Sequence, residues 1–255
     1  MCATFNDSFK APNFTRTEMY VDDRLNYIYC LISKVSCTSW KRVTLMLTGR
    51  MRVNRTADLS KGLVHYNKFS DRFLDRLQMY TPKEIAHRMK NYFKFMFVRH
   101  PFERIVSAYR DKFVRKNVYQ KYIGRYIVRN YRRNPTAKAV VEGTDVTFEE
   151  FVRYLLDPKT RSKRPFDRHW LSFHETCHPC YMHYDFIGKF ETLQEDAAYV
   201  IKRLGGGVEF PDEDPDNKWK GSSEYVAVIK NNISAESYLK LKELYALDYF
   251  LFEYS

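Results

Sequence analysis

From Leu25 to Ile32 the chain reads Leu-Asn-Tyr-Ile-Tyr-Cys-Leu-Ile, apolar and aromatic with little alternation, the pattern of a strand covered on both faces. Past a polar stretch, Thr38 and Ser39 offer side-chain oxygens for a helix N-terminus. Trp40, Val43, Met46 and Leu47 then recur at helical spacing. The same order returns further on. Thr81-Pro82-Lys83-Glu84 is a capping box with proline at the first helical position, and Tyr92 to Val98 reads as a central strand. Arg99-His100 turns into a helix whose Phe102, Ile105, Val106, Tyr109 and Phe113 form one apolar stripe. Thr147-Phe148-Glu149-Glu150 caps a short helix through Phe151 and Leu155. Tyr184 to Phe190 is a third strand, and Thr192 to Glu195 caps a helix that stops at Gly205. Phe210 to Gly221 is acidic and irregular, and Ser234 to Leu247 is helical in pattern. Strands alternating with helices predict an α/β fold, a mainly parallel sheet flanked by helices. Residues 1–20 read as a polar arm and 21–255 as a single domain.

In such sheets ligands sit beyond the carboxyl ends of the strands, so chemistry is expected after Ile32, Val98 and Phe190. The first of these loops, Ser33-Lys34-Val35-Ser36-Cys37-Thr38-Ser39, joins a lysine and hydroxyls to a helix start, the makings of an anion cradle. It contains no glycine and no Walker A pattern, which disfavours a nucleoside triphosphatase. In the second, Arg99 leaves a buried strand where a guanidinium can fork onto a phosphate, and Ser107 further along adds a hydroxyl. Arg104 reads equally well as a solvated helix charge.

Composition narrows the partners more than the fold. The 255 residues are 44% hydrophobic and 29% charged, with 9 Gly and 9 Pro, which excludes a disordered or linker-dominated chain. Lys plus Arg is 43 against 31 Asp plus Glu, a net charge of +12, and this favours a polyanionic partner. The segment from Lys112 to Arg133 concentrates that charge in Lys112, Arg115, Lys116, Lys121, Arg125, Arg129, Arg132 and Arg133, with tyrosines interleaved. Five cysteines, Cys2, Cys30, Cys37, Cys177 and Cys180, allow two bridges and one free thiol. Cys177-His178-Pro179-Cys180 has no second CxxC to complete a zinc site. Glycosylation sequons stand at Asn6, Asn13, Asn54 and Asn232. No apolar run approaches the roughly 18–20 residues of a spanning helix, and Met1 to Tyr20 lacks the apolar core of a secretory signal.

The two loops resemble the paired nucleotide motifs of the Golgi carbohydrate sulfotransferases. One is the 5′-phosphosulfate loop, a lysine with small residues, Cys and Thr ahead of Trp40-Lys41-Arg42. The other is the 3′-phosphate segment from Arg99 through Pro101-Phe102, Arg104 and Ser107-Ala108-Tyr109. The resemblance is nearest to the chondroitin 4-O-sulfotransferase branch, which also holds the dermatan and HNK-1 enzymes. It runs from Met19 to Ser255 through Val64-His65-Tyr66, Tyr92 to Phe113, Phe148 to Pro158, His169-Trp170, Cys177 to Cys180, Tyr184 to Asp196 and Phe252 to Ser255.

It implies a P-loop-kinase-like sulfotransferase fold and 3′-phosphoadenosine 5′-phosphosulfate (PAPS) as donor, without a metal. Ser33, Lys34, Val35, Ser36, Cys37, Thr38 and Ser39 would wrap the 5′-phosphosulfate, with Lys34 neutralising charge on the bridging oxygen. Arg99 and Ser107 would hold the 3′-phosphate, with the intervening backbone of His100, Pro101, Phe102, Glu103, Arg104, Ile105 and Val106 lining the adenosine pocket. The family usually has proline where Ser33 stands, and serine frees the backbone there but removes no ligand group. For the general base the candidates are His65, His169, Glu103 and Asp167, with His65 favoured and His169 next. The acceptor implied is chondroitin or a related glycosaminoglycan, sulfated at the 4-position of N-acetylgalactosamine and bound through Lys112, Arg115 and Arg125. The location implied is the Golgi lumen, with a membrane anchor outside this chain. The second reading is a non-catalytic glycosaminoglycan-binding protein of the same fold. A nucleic-acid binder lacks any recognisable module here.

Overall fold

The computed structural model describes residues 18–51, 53, 55–163, 166–211 and 222–255. The chain groups into two compact units. The first is Met1–Arg99 with Ser172–Lys218, and the second is His100–Leu171 with Trp219–Ser255.

The first unit carries one five-stranded sheet, ordered β3-β1-β2-β4-β5. Its strands are β1 (Met19–Asp22), β2 (Tyr27–Cys30), β3 (Asp75–Arg76), β4 (Phe93–Val98) and β5 (Phe186–Lys189). β2, β4 and β5 run parallel, with Cys30 opposite Met96 and Val98 opposite Lys189. β1 pairs antiparallel with both β2 and β3, so the sheet is mixed, with β1 as its one reversed strand. The cause is local. Asp22 Oδ1 accepts the backbone N–H groups of Arg24 and Leu25, each at 2.9 Å. Asn26 then takes a left-handed conformation at φ 54°, which turns the chain straight back into β2. Met19 and Tyr20, read as part of the polar arm, are the first residues of β1 and fully buried.

Two-residue periodicity puts Phe93, Phe95 and Phe97 of β4 on one face of the sheet. The helix Cys37–Leu47 lays Trp40 on that face, with ring centroids 5.4 Å from Phe95, 4.6 Å from Phe97 and 5.3 Å from Tyr29. Full burial of each such ring is worth about 1.5–3 kcal/mol, so this cluster fixes where the helix begins relative to the strands. At Gly188 of β5 a Cβ would stand 2.3 Å from the Phe97 ring, so glycine is what lets β5 close against β4. The capping box at Thr81 forms as the sequence predicts: Thr81 N–H donates to Glu84 Oε2 at 2.8 Å, ahead of the helix Pro82–Asn91. Thr192 also precedes its helix, Leu193–Arg203, but its hydroxyl donates to Asp196 Oδ2 at 2.7 Å instead of accepting from the first turn. That helix ends before Gly205, which sits at φ 103°.

The second unit is helical. Pro101–Tyr109 runs into a π-turn over Arg110–Val114, and Phe148–Leu156 is closed by the capping box at Thr147. The predicted stripe Phe102, Ile105, Val106, Tyr109 and Phe113 is wholly buried and packs with Phe148, Phe151, Tyr154 and Trp170. Ala235–Leu244 and Ala246–Leu251 fill the tail. No helix among the described residues is long and apolar enough to cross a membrane.

Cys30, at the end of β2, is bonded to Cys177 across 147 residues, and both are fully buried. Cys180 is disulfide-bonded as well, and Cys37 is a free thiol. Cys2 lies outside the described residues, as do the sequons at Asn6, Asn13 and Asn54. Asn232 ends the helix Ser222–Asn232, its Nδ2 donating to Val228 O at 2.8 Å. Replacing both Cys30 and Cys177 by alanine lowers stability by about 2–5 kcal/mol, the range for opening a long covalent loop. Urea unfolding of the double variant beside the oxidised parent measures it.

Candidate active site

β2 and β4 are neighbours and parallel, so the loops that follow them leave the same edge of the sheet. The first loop passes through buried Ile32 and Ser33 to Lys34, at φ 72°, and Ser36, at φ 47°. Both are left-handed, a sparsely populated state for residues with a Cβ, and buried Val35 anchors the backbone between them. Ser36 is the N-cap of the helix Cys37–Leu47, so Thr38 and Ser39, read as caps, are corrected to first-turn residues; the left-handed bend starts the helix ahead of them. Ser36 gives that turn no side-chain bond and no acidic residue lies in it, an arrangement suited to an outside anion.

The hydroxyl of Thr38 is 3.0 Å from Nε2 of His65, which ends the short helix Lys61–His65. This brings His65 to the loop. Lys41 and Arg42 are buried beneath it, with Arg42 Nε donating to Leu59 O at 2.7 Å, so they support the loop from inside. Arg99 follows β4 directly, is 5% exposed, and lays its guanidinium 4.2 Å from the centre of the Phe190 ring.

Within the second unit the other residues of the Arg99–Ser107 segment serve varied ends. His100 Nε2 lies 3.2 Å from Ser255 O, and its ring meets Tyr249 and Tyr254 edge-on. Pro101 opens the helix, while Phe102, Ile105 and Val106 belong to the core, leaving only backbone for a ligand. Glu103 and Ser107 are half-buried. Arg104 is buried, donating from Nη1 to Leu171 O at 2.8 Å and from Nη2 to Arg168 O at 3.3 Å. It is therefore not the solvated charge the sequence offered, and its guanidinium braces the turn carrying His169.

In that turn His169 Nδ1 lies 2.5 Å from Asp167 Oδ1, and Tyr119 donates its hydroxyl to Asp167 Oδ2 at 3.0 Å. Burial pushes the His169 imidazole below its ordinary range, although Asp167 pulls the other way. Burial works to raise Asp167, but its bonds to His169 and Tyr119 hold it below the usual carboxylate range.

The basic segment divides. Arg132 is paired with Glu150 through two bonds of 2.8 and 2.9 Å, and Lys112 lies 3.1 Å from Asp111 and over the Tyr119 ring. Arg115 and Arg125 are half-buried, and Lys116, Lys121, Arg129 and Arg133 are exposed. Of the interleaved tyrosines only Tyr122, 72% exposed, presents its ring to solvent. Among the described residues no group of His, Cys, Asp and Glu is placed to hold a metal ion.

A model described as the sulfotransferase family matches residues 17–255. The chain belongs to that family. Carbohydrate sulfotransferase 11 of Rattus norvegicus is 42% identical over 241 residues, covering 93% of this chain and 67% of that protein. Carbohydrate sulfotransferase 9 of Homo sapiens is 36% identical over 249 residues, 94% of this chain and 54% of its own length. Carbohydrate sulfotransferase 14 of Danio rerio is 37% identical over 243 residues, 92% of this chain and 61% of its own length. No solved structure gives a significant match. The chain is thus a sulfotransferase enzyme.

Three features of this sulfotransferase went unread in its sequence: the ring of Phe190 beneath Arg99, the bond from Thr38 to His65, and the Asp167–Tyr119 pairing behind His169. Each joins residues far apart in the chain, and only the flagged exit after the third strand pointed toward Phe190.

His169 and Asp167 both favour their deprotonated forms more in the folded state than in the unfolded one. Their stabilisation is complete above the unfolded histidine value of about 6.5 and is lost in two stages on acidification, first from His169 and then, below about 4, from Asp167. Urea midpoints are expected to fall from pH 7.5 to 5.5 in the parent and to fall less in His169→Asn.

Proposed function

We propose that this sulfotransferase moves the sulfuryl group of PAPS to a hydroxyl of a glycosaminoglycan, the 4-hydroxyl of N-acetylgalactosamine in chondroitin. The observation that carries the reading is the shared edge of β2 and β4, from which the Lys34 loop and Arg99 both emerge. The donor set fits a nucleotide with anions at both ends. An uncapped helix N-terminus with a lysine and hydroxyls suits one end, and a guanidinium backed by an aromatic ring suits the other.

When bound, PAPS supplies the sulfuryl group and departs as adenosine 3′,5′-bisphosphate. The chain's own work is to position the reactants and to answer charge. Lys34 sets its ammonium against the negative charge that gathers on the bridging oxygen as the sulfur–oxygen bond breaks. His65 takes the proton of the attacking hydroxyl. Its Nε2 lies 3.0 Å from Thr38 Oγ1, which holds the imidazole at the donor loop. His65 is preferred to His169 because its hydrogen bond ties it to the donor loop itself. On the acceptor side, Lys112, Arg115 and Arg125 together with the exposed Lys116, Lys121, Arg129 and Arg133 offer charge to a sulfated or carboxylated chain, and Tyr122 offers a ring for a sugar face. The same reading sets the enzyme in the Golgi lumen, an oxidising compartment in keeping with the Cys30–Cys177 bond.

The test is transfer of labelled sulfate from PAPS to chondroitin, dermatan, heparan and HNK-1-type acceptors, with disaccharide analysis of the product. Chondroitin labelled at the 4-position supports the reading, and the absence of transfer to any of them refutes it. Lys34→Ala is expected to lower kcat by about 10²–10³-fold, the scale of one transition-state charge contact, while moving stability by no more than about 0.5 kcal/mol. Normal turnover in that variant removes Lys34 from the chemistry. Arg99→Ala is expected to raise KM for PAPS about tenfold or more, the scale of one or two charge-assisted hydrogen bonds, read from initial rates at varied donor.

A further inference from the structure

We propose that Phe190 is a positioning residue which holds the Arg99 guanidinium flat and edge-out for the donor's 3′-phosphate. The proposal rests on the role given to Arg99 above and adds a residue to it. The sheet itself makes the contact. Val98 and Lys189 are paired in the parallel ladder, and the next residue along each strand is Arg99 and Phe190. The guanidinium carbon then lies 4.2 Å from the ring centroid, within cation–π range.

Stacking engages the face of a guanidinium, whereas a phosphate is gripped in the plane through the N–H groups on its rim. The two contacts do not compete, so the ring can fix the plane before any ligand arrives. That matters for arginine, whose long side chain otherwise loses much rotamer freedom when it is immobilised on binding. Phe190 is only half-buried, in a short 3₁₀ turn over Phe190–Thr192 with no buried residue, so it is not part of the packed core. A ring at that position, outside the packed core, is accounted for by what it does for Arg99.

The experiment is calorimetric titration of adenosine 3′,5′-bisphosphate and of adenosine 5′-monophosphate into the parent, Phe190→Leu, Phe190→Tyr, Arg99→Ala and the Phe190→Leu/Arg99→Ala double variant. Phe190→Leu is expected to weaken the bisphosphate about three- to tenfold, the usual strength of a partly desolvated cation–π contact, and to leave the monophosphate unchanged. Phe190→Tyr, which keeps the ring, restores affinity to within about twofold. In the Arg99→Ala background the leucine substitution adds no further loss. In turnover, KM for PAPS rises by the same factor with kcat little altered. An equal loss for the monophosphate overturns the proposal, because the ring then serves the adenosine or the fold at large. An undiminished bisphosphate affinity in Phe190→Leu, or a loss that adds to that of Arg99→Ala, overturns it too. Failure of the parent to bind bisphosphate is a different result: it overturns the reading of the donor site, and this proposal with it.

Discussion

Parallel pairing of β2, β4 and β5 is the constraint on which the rest depends. Three strands running the same way finish at the same edge, and each end delivers one part of the proposed donor site: the lysine loop, the arginine and the ring beneath the arginine. None of these parts has to find the others. Backbone hydrogen bonds set the strand spacing near 4.8 Å, and side chains in matching register inherit it. The aromatic face under Trp40 and the tight approach of Phe97 to Gly188 hold that register against slippage.

What the sequence discloses is whatever short-range physics controls. The capping boxes at Thr81 and Thr147 form, and the stripe from Phe102 to Phe113 is buried throughout, because three- and four-residue spacings carry their own information. β4 and β5 appear where apolar runs foretold them. β1 escaped because four residues after a polar stretch show no period. Its burial comes from the partner strand that Asp22 and Asn26 fold back onto it. The left-handed start of the helix after Ser36 escaped as well, since neither Lys34 nor Ser36 is a residue that advertises positive φ.

The candidate site divides along the same line. Lys34 and Arg99 were named from the loops they occupy, a local cue. Arg104 read equally well as a solvated helix charge, yet its guanidinium donates to carbonyls of residues 168 and 171, partners that only the tertiary fold brings near. The basic run shows the limit of counting charge. Arg132 is held by Glu150 and Lys112 sits beside Asp111, while Lys116, Lys121, Arg129 and Arg133 face water. Net charge describes long-range attraction well and contact residues poorly.

The Cys30–Cys177 cross-link also bears on the order of events during synthesis. A ribosome releases Cys30 long before the partner that stands 147 positions later, whereas Cys37 emerges almost at once. The early thiol therefore has a near, wrong neighbour and a distant, right one. A bond made early to the near one has to be exchanged once the second half of the chain has appeared, whereas a thiol that stays reduced until then pairs with Cys177 directly.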